Sequence, residues 1–355
     1  MYRSFHSAKL LTSVTIPFHQ IATVSSISPK KLRHVPVMHN EVINFFKPKS
    51  GEKYLDMTFG AGGHSKQLLN SAEDIVVYAL DRDPVAYELA IQAASEAPSG
   101  SLIPLLGKFS DLPDLLCNLG VTENFFDGIL VDCGCSSMQF DTKERGFSIS
   151  KEGPLDMRMD NQRPSAADVL AHIDEDSLAR ILKVYGEERL AKKIARAVIE
   201  ARYLFKSLKT TTELAQLVES VCGFQSRSDK LQRPSHVATK TFQALRIFVN
   251  DELNELDFAM KFAYQSLKVG GKIVTLSFHS LEDRIIKNAL HGMDNPPEGQ
   301  KYKVYGLDLS ASDMKMVMEK KWQSINKHVL TPSNEEMSRN PRSRSAKLRA
   351  ALKVK

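Results

Sequence analysis

A glycine-rich turn followed by a carboxylate is the first arrangement in this 355-residue sequence that suits ligand binding. The segment Gly60-Ala61-Gly62-Gly63-His64 follows a short apolar run and precedes a helical stretch. Glycine permits a sharp turn and lets a ligand approach the backbone closely. Asp81 stands about 20 residues further on, at the end of the next apolar run, where a carboxylate can accept hydrogen bonds from both ribose hydroxyls. The turn and the acid together predict a site for a nucleoside cofactor, NAD included.

The residues around the turn bear on which cofactor that is. A dinucleotide fingerprint has a third glycine three residues after the second, and Ser65 stands at that position. Asp56 precedes the glycines, where an acid can orient the turn or meet the amino end of a methionine moiety. Asp132 ends a later apolar run and adds a polar group to the same edge. These features favour S-adenosylmethionine over NAD, and the remaining alternative is that the glycines only turn the chain.

Short apolar runs alternate with helical stretches over much of the chain. Strands separated by helices predict a parallel sheet with helices on both faces, and ligands bind such sheets at the carboxyl ends of the strands. The runs are Tyr54–Leu55, Ile75–Leu80, Leu102–Leu106, Phe126–Val131 and Lys272–Phe278. The sequence therefore predicts an α/β fold in which the glycine turn, Asp81 and Asp132 share one sheet edge.

A long helical segment interrupts this alternation. Residues 165–267 contain no convincing strand and show helical periodicity throughout. We expect an all-helical insertion domain there, and a sheet domain made of residues 34–164 and 268–355 with a basic C-terminal tail. Within the insertion, Thr211 or Thr212 is the expected N-cap before Glu213. The helices expected in the insertion are Ala166–Leu170, Ser177–Tyr185, Leu190–Tyr203, Thr212–Val221 and Val237–Leu267.

Two basic segments could contact phosphates or could simply be solvated. On the Leu190–Tyr203 helix the bases face away from an apolar stripe of Ile194, Ala195, Val198 and Ile199. The tail from Ser338 to Lys355 contains basic residues and no acid, which suits phosphate contacts. The basic residues of the helical segment are Lys192, Lys193, Arg196, Arg202, Lys206 and Lys209.

The first 33 residues have the composition of a targeting segment rather than of a folded element. They are rich in Ser and Thr and contain Arg and Lys but no acid, which is typical of a mitochondrial transit peptide and predicts the mitochondrial matrix. The other interpretation is a disordered tail. No apolar run is long enough to span a bilayer, so no membrane association is expected. Cys133 and Cys135 lack a second cluster at ligand spacing, so no metal site is expected.

Longer motifs make the chain resemble a known family. The motifs run from residue 34 to near the end, in the family's order, and comprise His34–Met38, Asp56–His64, Ala79–Pro84, Asp132–Gln139, Glu144–Ser148, Gly153–Asp160, Tyr185–Glu188, Thr241–Arg246, Ser277–Arg284 and Asn340–Arg349. The chain resembles the MraW/RsmH family, which methylates N4 of a cytidine in small-subunit ribosomal RNA. The resemblance implies a Rossmann-like class I methyltransferase sheet.

The resemblance also implies a cofactor, a substrate and a set of contacts. With the transit peptide, the chain looks like a mitochondrial member, whose partner is mitochondrial small-subunit ribosomal RNA or a ribosome precursor; a guiding protein stays unidentified. An inactive RNA-binding assembly factor on the same fold is the alternative. The S-adenosylmethionine contacts implied are Gly62, Gly63, His64, Asp81, Phe109, Asp132 and Gln139.

The cytosine amino group makes particular demands on the site. The lone pair of the amino nitrogen is shared with the ring, so hydrogen-bond acceptors for its protons would make this nitrogen a better nucleophile. Positive charge develops on the nitrogen during methyl transfer. Our catalytic candidates are Asp132, Asp156 and His279, with Arg158 and Ser280 nearby, and His279 is expected to take the proton. The Asn/Asp-Pro-Pro-aromatic motif of many amino-group methyltransferases is replaced here by Asp132-Cys133-Gly134-Cys135.

Overall fold

The computed structural model describes residues 36–205, 208–223, 227–228, 234–291 and 321–355. The predicted transit peptide and Lys206 lie outside these residues. Within the described ranges, no helix combines the length and the apolar character needed to cross a membrane.

A mixed sheet forms the centre of the fold. In chain order the strands are β1 Lys53–Asp56, β2 Val76–Asp81, β3 Leu102–Leu106, β4 Phe126–Asp132, β5 Arg227–Ser228, β6 Pro234–Ser235, β7 Leu267–Ser277, β8 Trp322–Ser324 and β9 Lys347–Lys353. In the described part of the chain, seven of them make one sheet in the order β3-β2-β1-β4-β7-β9-β8. The first five in this order are parallel, whereas β9 is antiparallel to both neighbours. The five strands expected from the sequence are therefore parallel, as predicted, and the two strands added at one edge make the sheet mixed.

The strand order places a crevice where the prediction needs one. The chain leaves β1 toward β2 and β3 on one side, and then returns to β4 and β7 on the other. Connections that diverge in this way leave a crevice at the carboxyl ends of the strands, beside β1 and β4. The predicted Rossmann-like α/β fold is confirmed by this topology.

Alternating side chains of the strands build two apolar layers. Leu55 and Ile129 pack on one face with helices α4, α11 and α12, whereas Tyr54 and Leu130 pack on the other with α1, α2 and α3. This period of two is what a strand covered on both faces requires. The helices are α1 His39–Phe46, α2 Gly63–Leu69, α3 Pro84–Glu96, α4 Leu112–Cys117, α5 Ser137–Asp141, α6 Ala166–His172, α7 Glu175–Gly186, α8 Ala191–Phe205, α9 Thr211–Cys222, α10 Thr239–Asn250, α11 Glu252–Ser266, α12 Ser280–Leu290 and α13 Asn334–Arg339.

The helical stretch between β4 and β7 packs as two groups. Helices α6 to α10 share an apolar core of their own, which includes Leu182, Ile194 and Leu245. Helix α11 instead buries Leu256 and Met260 against the sheet. Between α9 and α10, the two-residue strands β5 and β6 pair in antiparallel fashion. The division into domains at residues 165 and 267 stays a prediction.

Two local expectations in this stretch were wrong. The periodicity of Val237–Leu267 suggested one helix, but the chain breaks into α10 and α11 at Asp251, whose φ of 54° lies in the left-handed region. The N-cap of α9 is Thr210, whose side chain accepts a hydrogen bond from the backbone N–H of Glu213, rather than Thr211 or Thr212. Thr211 instead donates its hydroxyl to the Lys151 carbonyl at 2.9 Å.

The basic C-terminal tail is not a free tail. Residues Lys347–Lys353 form β9 with an alternating pattern in which Leu348 and Ala350 are buried. Lys347 and Arg349 both pair with Asp283, at 3.0 and 2.8 Å. Sheet pairing with β7 orders the segment despite its lysines and alanines, which are poor strand formers, and the heads of Lys347 and Arg349 are held by an acid rather than offered to phosphates.

Candidate active site

The glycine turn after β1 is shaped by close packing. Gly62 has a φ of 77°, and a Cβ at this position would lie 2.5 Å from the ring of Phe59. A Cβ on Gly63 would lie 2.8 Å from the ring of Pro36. Both contacts are shorter than carbon atoms tolerate, so the glycines let the turn fold against its own neighbours as well as against a ligand.

Asp56 orients the turn from inside the protein. Its carboxylate is fully buried and accepts hydrogen bonds from the Ser65 hydroxyl at 2.6 Å and the Thr58 backbone N–H at 3.0 Å. Burial raises the pKa of Asp56. Of the two roles expected for this acid, the structure supports the orienting one, because its carboxylate oxygens accept hydrogen bonds from the turn and from α2.

A cavity of about 290 Å³ lies over the carboxyl ends of the strands. Among the predicted residues, those that line it are Gly63, His64, Asp81, Phe109, Asp132 and Gln139. Gly62, Asp156 and His279 are not part of its wall. The structure thus gathers six of the predicted residues from four separate segments, as convergence of parallel strand ends requires.

Asp81, at the end of β2, presents a pre-oriented carboxylate to the cavity. Its Oδ2 accepts the Gly60 backbone N–H at 2.7 Å, and its Oδ1 accepts the Asp83 backbone N–H at 2.8 Å. Each carboxylate oxygen has a second lone pair, so the group can still accept bonds from ligand hydroxyls. Burial, which outweighs these two bonds, raises the pKa of Asp81 to about 6. Phe109, just after β3, adds a partly buried aromatic side chain to the wall.

His64 and Asp132 carry buried polar atoms whose hydrogen-bonding capacity is not satisfied by the residues that the structure describes. The His64 Nε2 and the Asp132 Oδ2 are 3.7 Å apart. Within the residues that the structure describes, both ring nitrogens of His64 and the Oδ1 of Asp132 are buried without a hydrogen-bond partner. Such atoms are uncommon in folded proteins, and a polar ligand would satisfy them. The cavity therefore offers a carboxylate for a ribose, an aromatic ring for a base and unsatisfied polar atoms for a charged chain, which fits S-adenosylmethionine.

Gln139 lines the cavity with its amide already engaged. Its Nε2 donates to Asp83 Oδ2 at 2.8 Å, and its Oε1 accepts the Ser136 backbone N–H at 3.0 Å. Arg145 Nη1 also donates to Asp83 Oδ2, at 2.7 Å. The side chain thus braces the loop after β4 against the start of α3.

His279 and Asp156 lie behind the wall. His279 caps α12, with its Nδ1 accepting the Glu282 N–H at 3.4 Å, and its Nε2 lies 2.9 Å from Glu282 Oε1. Asp156 accepts two hydrogen bonds from the Arg158 guanidinium, each at 2.8 Å. Ser280, the first residue of α12, is also absent from the wall. The sequence correctly placed His279 at the end of a strand, but the imidazole caps α12 and therefore turns toward Glu282.

An ion-pair cluster on the opposite wall was missed from the sequence. Arg246 of α10, Glu252 of α11 and Glu282 of α12 all line the cavity. The guanidinium forms two 2.8 Å hydrogen bonds to Glu252 and lies 3.8 Å from Glu282. Arg246 stood in one of the family motifs, but its pairing with Glu252 depends on the unexpected helix break between them, and Glu282 lies on a third helix.

The basic residues of α8 divide into two kinds. Lys192 and Lys193 are exposed, and the expected apolar stripe of the helix faces inward. Arg202 instead donates to the backbone carbonyls of Leu170 and Ile173, the latter at 2.7 Å. Arg202 therefore anchors the helix, whereas the two lysines are available for an anionic partner.

Comparison with known proteins decides between the remaining interpretations. Residues 31–354 match the model of the MraW methylase family. The chain belongs to the MraW methylase family. It is 48% identical over 338 residues to the 12S rRNA N(4)-cytidine methyltransferase METTL15 of Homo sapiens, covering 90% of this chain and 83% of that protein. It is 44% identical over 318 residues to the ribosomal RNA small subunit methyltransferase H of Parvibaculum lavamentivorans, covering 90% and 88%.

A third relative contains a similar sequence within a longer protein. The putative receptor-type tyrosine-protein phosphatase mosPTP-1 of Culex quinquefasciatus is 54% identical over 338 residues, which cover 92% of this chain but 23% of that protein. The chain thus spans about a quarter of that relative. Membership of the methylase family settles the choice of cofactor: this is a methyltransferase that uses S-adenosylmethionine, not NAD.

Proposed function

We propose that this protein methylates N4 of a cytidine in mitochondrial small-subunit ribosomal RNA, in the mitochondrial matrix. The observation that carries the proposal is that the family match, residues 31–354, includes every residue of the cavity, where His64 and Asp132 retain unsatisfied polar atoms. The sequence similarity to the human 12S rRNA enzyme supports the choice of RNA and of organelle.

Each wall of the cavity has a separate task in this proposal. Asp81 accepts hydrogen bonds from the ribose hydroxyls, and Phe109 packs against the adenine. His64 faces the amino-acid end of the cofactor, where its buried nitrogens find partners. S-adenosylmethionine supplies an already activated methyl group when bound, so the work of the protein is to hold the acceptor in line with it.

Asp132 acts on the acceptor amine. Its Oδ1 is buried without a partner among the residues described, and its backbone N–H is fixed by the Thr58 hydroxyl at 2.8 Å. A carboxylate in this position accepts a hydrogen bond from the amino group, stabilises the positive charge that develops on nitrogen and takes up the proton that the nitrogen releases. His279 does not touch the cavity; we propose that it positions Glu282 instead.

The substrate is an RNA larger than the cavity, so other surfaces must contact it. We propose that the core of α6 to α10 forms a domain that presents Lys192 and Lys193 to RNA phosphates. When the protein is bound to a ribosome precursor, the target base would be unstacked before it enters the cavity.

Deletion of the gene tests the proposal. We expect N4-methylcytidine to disappear from digested mitochondrial small-subunit RNA in mass spectrometry, and to return with the wild-type protein but not with Asp132→Asn. Asp127→Asn, a change of the same type at the far end of β4, is the matched control and should restore the modification. Unchanged N4-methylcytidine after deletion would refute the proposal.

The alternative, an inactive RNA-binding assembly factor, makes a different prediction. It requires that Asp132→Asn and the wild-type protein restore ribosome assembly equally while neither restores the methyl group. Calorimetric titration of the purified protein with S-adenosylmethionine separates the two, because an inactive factor with a non-functional cavity would release no heat.

A further inference from the structure

The part of the cavity wall that α10 contributes holds a largely buried arginine with one incompletely satisfied nitrogen. The Arg246 side chain is 14% exposed, and its Nε and Nη2 are fixed by the two oxygens of Glu252. Such bidentate pairing sets the plane of a guanidinium. The pairing with Glu252 therefore fixes the orientation of the Arg246 guanidinium in the cavity wall.

The remaining nitrogen, Nη1, has a poor partner. In the part of the chain that the structure describes, its acceptor is the Cys135 Sγ at 3.2 Å. Burial raises the pKa of Cys135 to about 11, so the sulfur is a neutral thiol, which accepts hydrogen bonds weakly. A buried cationic N–H that meets only such a sulfur gains from a better acceptor.

The position of Nη1 in the cavity indicates which acceptor that is. A Cβ built on Gly134 would lie 3.8 Å from Nη1 and 3.9 Å from Glu282 Oε1, so the arginine and the acid face the loop just beyond Asp132. His64, Asp81 and Phe109, which we propose for the cofactor, follow β1, β2 and β3. We place the base that receives the methyl group at the end of β4, beside the Asp132 carboxylate that we propose acts on its amine.

Cytosine and uracil present opposite patterns to such a wall. Cytosine has an amino donor at N4 and an acceptor at N3, whereas uracil has an acceptor at O4 and a donor at N3. A carboxylate at the exocyclic group and an arginine donor at N3 match the first pattern, whereas uracil in the same pose would set O4 against the carboxylate and N3–H against the donor. Sites built on buried hydrogen bonds discriminate strongly against a partner that lacks the matching groups.

We propose that Arg246 determines base specificity: its Nη1 donates a hydrogen bond to ring N3 of the acceptor cytosine, while neighbouring carboxylates face the amino group. The inference rests on the proposed methylation of cytidine. It assigns Glu252 to positioning, because that carboxylate fixes the guanidinium without needing to touch the base.

The test uses the full-length protein and two synthetic RNAs. In one RNA the methylated cytidine, located by mass spectrometry, is replaced by 3-deazacytidine, which has C–H in place of N3. We compare kcat/KM on both RNAs for the wild type, Arg246→Lys and the control Arg163→Lys, whose pair with Asp251 lies away from the cavity wall. The deaza change also alters the reactivity of the RNA amino group, and it does so for all three proteins alike. The readout is therefore, for each protein, the ratio of kcat/KM on the two RNAs.

We expect the wild type and the control to lose roughly ten- to hundredfold on the deaza RNA, as for loss of a charge-assisted hydrogen bond. Arg246→Lys should lose much less, with unchanged affinity for S-adenosylmethionine. An equal loss in all three proteins overturns the proposal, as does weaker cofactor binding combined with an unchanged ratio, which would assign Arg246 to the cofactor.

Two further outcomes are informative. If Arg246→Lys fails to fold, Glu252→Gln keeps the guanidinium but loosens its plane, and an unchanged deaza penalty in that variant refutes the inference. If the wild type fails to methylate the unmodified RNA, the proposed function itself falls and takes this inference with it. Methylation of the unmodified RNA with no deaza penalty refutes the inference alone.

Discussion

The two halves of the cavity solve different electrostatic problems. On the cofactor side, both ring nitrogens of His64 are buried without partners in the described chain, and Asp81 keeps spare acceptor capacity. On the acceptor side, Arg246 is paired with Glu252 and approaches Glu282. The first half depends on a ligand to complete its hydrogen bonds, whereas the second is largely completed by the protein itself.

This difference predicts how each half responds to change. A half that a ligand completes should lose affinity when a polar group is removed, with little damage to the fold. A half completed by internal ion pairs should lose stability as well, because removing one partner leaves a buried charge. Asp132 stands between them, at the end of β4, and belongs to both.

The largest effect is expected at this junction. Asp132→Asn keeps the shape of the side chain but removes its charge and half of its acceptor capacity, so the single-turnover rate of methyl transfer should fall about 100-fold or more. Asp127→Asn, at the start of the same strand and paired with Lys268, should leave the rate unchanged. A normal rate for Asp132→Asn would remove this residue from the chemistry.

A smaller effect is expected for Asp81→Ala. Loss of hydrogen bonds to a charged acceptor should weaken S-adenosylmethionine binding roughly ten- to hundredfold in calorimetry. Thermal unfolding should show that the fold is retained. Glu88→Ala, on the exposed side of α3, is the control and should bind normally. Equal affinity for all three proteins would mean that the ribose lies elsewhere.

The aromatic part of the same half should contribute less. Phe109→Ala removes a stacking surface, for which about 1–3 kcal/mol is typical, so the dissociation constant should rise roughly tenfold. Phe109→Tyr keeps the ring and should bind the cofactor as the wild type does. If both variants bound equally well, adenine would not pack against this side chain.

The smallest effect is a pH dependence of stability. Because burial raises the pKa of Asp81 to about 6, the folded protein holds this proton more tightly than the unfolded chain. The resulting stabilisation is complete below the unfolded pKa and is lost as the pH rises through 6. Relative to Asp81→Asn, the cofactor-free wild type should gain about 1 kcal/mol in free energy of unfolding from about pH 8 to about pH 5.

Urea unfolding of the two proteins at both pH values measures this difference. Cofactor binding should show the opposite trend, because the ionised carboxylate is the better acceptor for ribose hydroxyls. A stability difference that does not change with pH would show that Asp81 titrates normally in the folded state.

The same contrast explains what the sequence could predict. The glycine turn, Asp81 and Asp132 each follow a recognisable apolar run, and parallel strand ends must converge, so their proximity follows from local pattern and topology. Arg246, Glu252 and Glu282 come together because α10, α11 and α12 pack beside one another. The Arg246–Glu252 pair depends on the break at Asp251, and the approach of Glu282 depends on tertiary packing that no short spacing encodes.

The differences between expectation and structure have the same origin. His279 lies at the predicted strand end, but the free N–H groups of α12 attract its imidazole as a cap. The segment Lys347–Lys353 has weak strand propensity and is ordered by pairing with β7. The break at Asp251 interrupts a periodicity that continues on both sides, so only the backbone conformation reveals two helices.

Methylation by the purified protein tests the central claim most directly. Fragments of mitochondrial small-subunit RNA are incubated with S-adenosylmethionine labelled in its methyl group, and the digested nucleosides are analysed by mass spectrometry. Our account predicts labelled N4-methylcytidine from wild type and Asp127→Asn, and almost none from Asp132→Asn. Label in a different nucleoside, or equal label with Asp132→Asn, would contradict it.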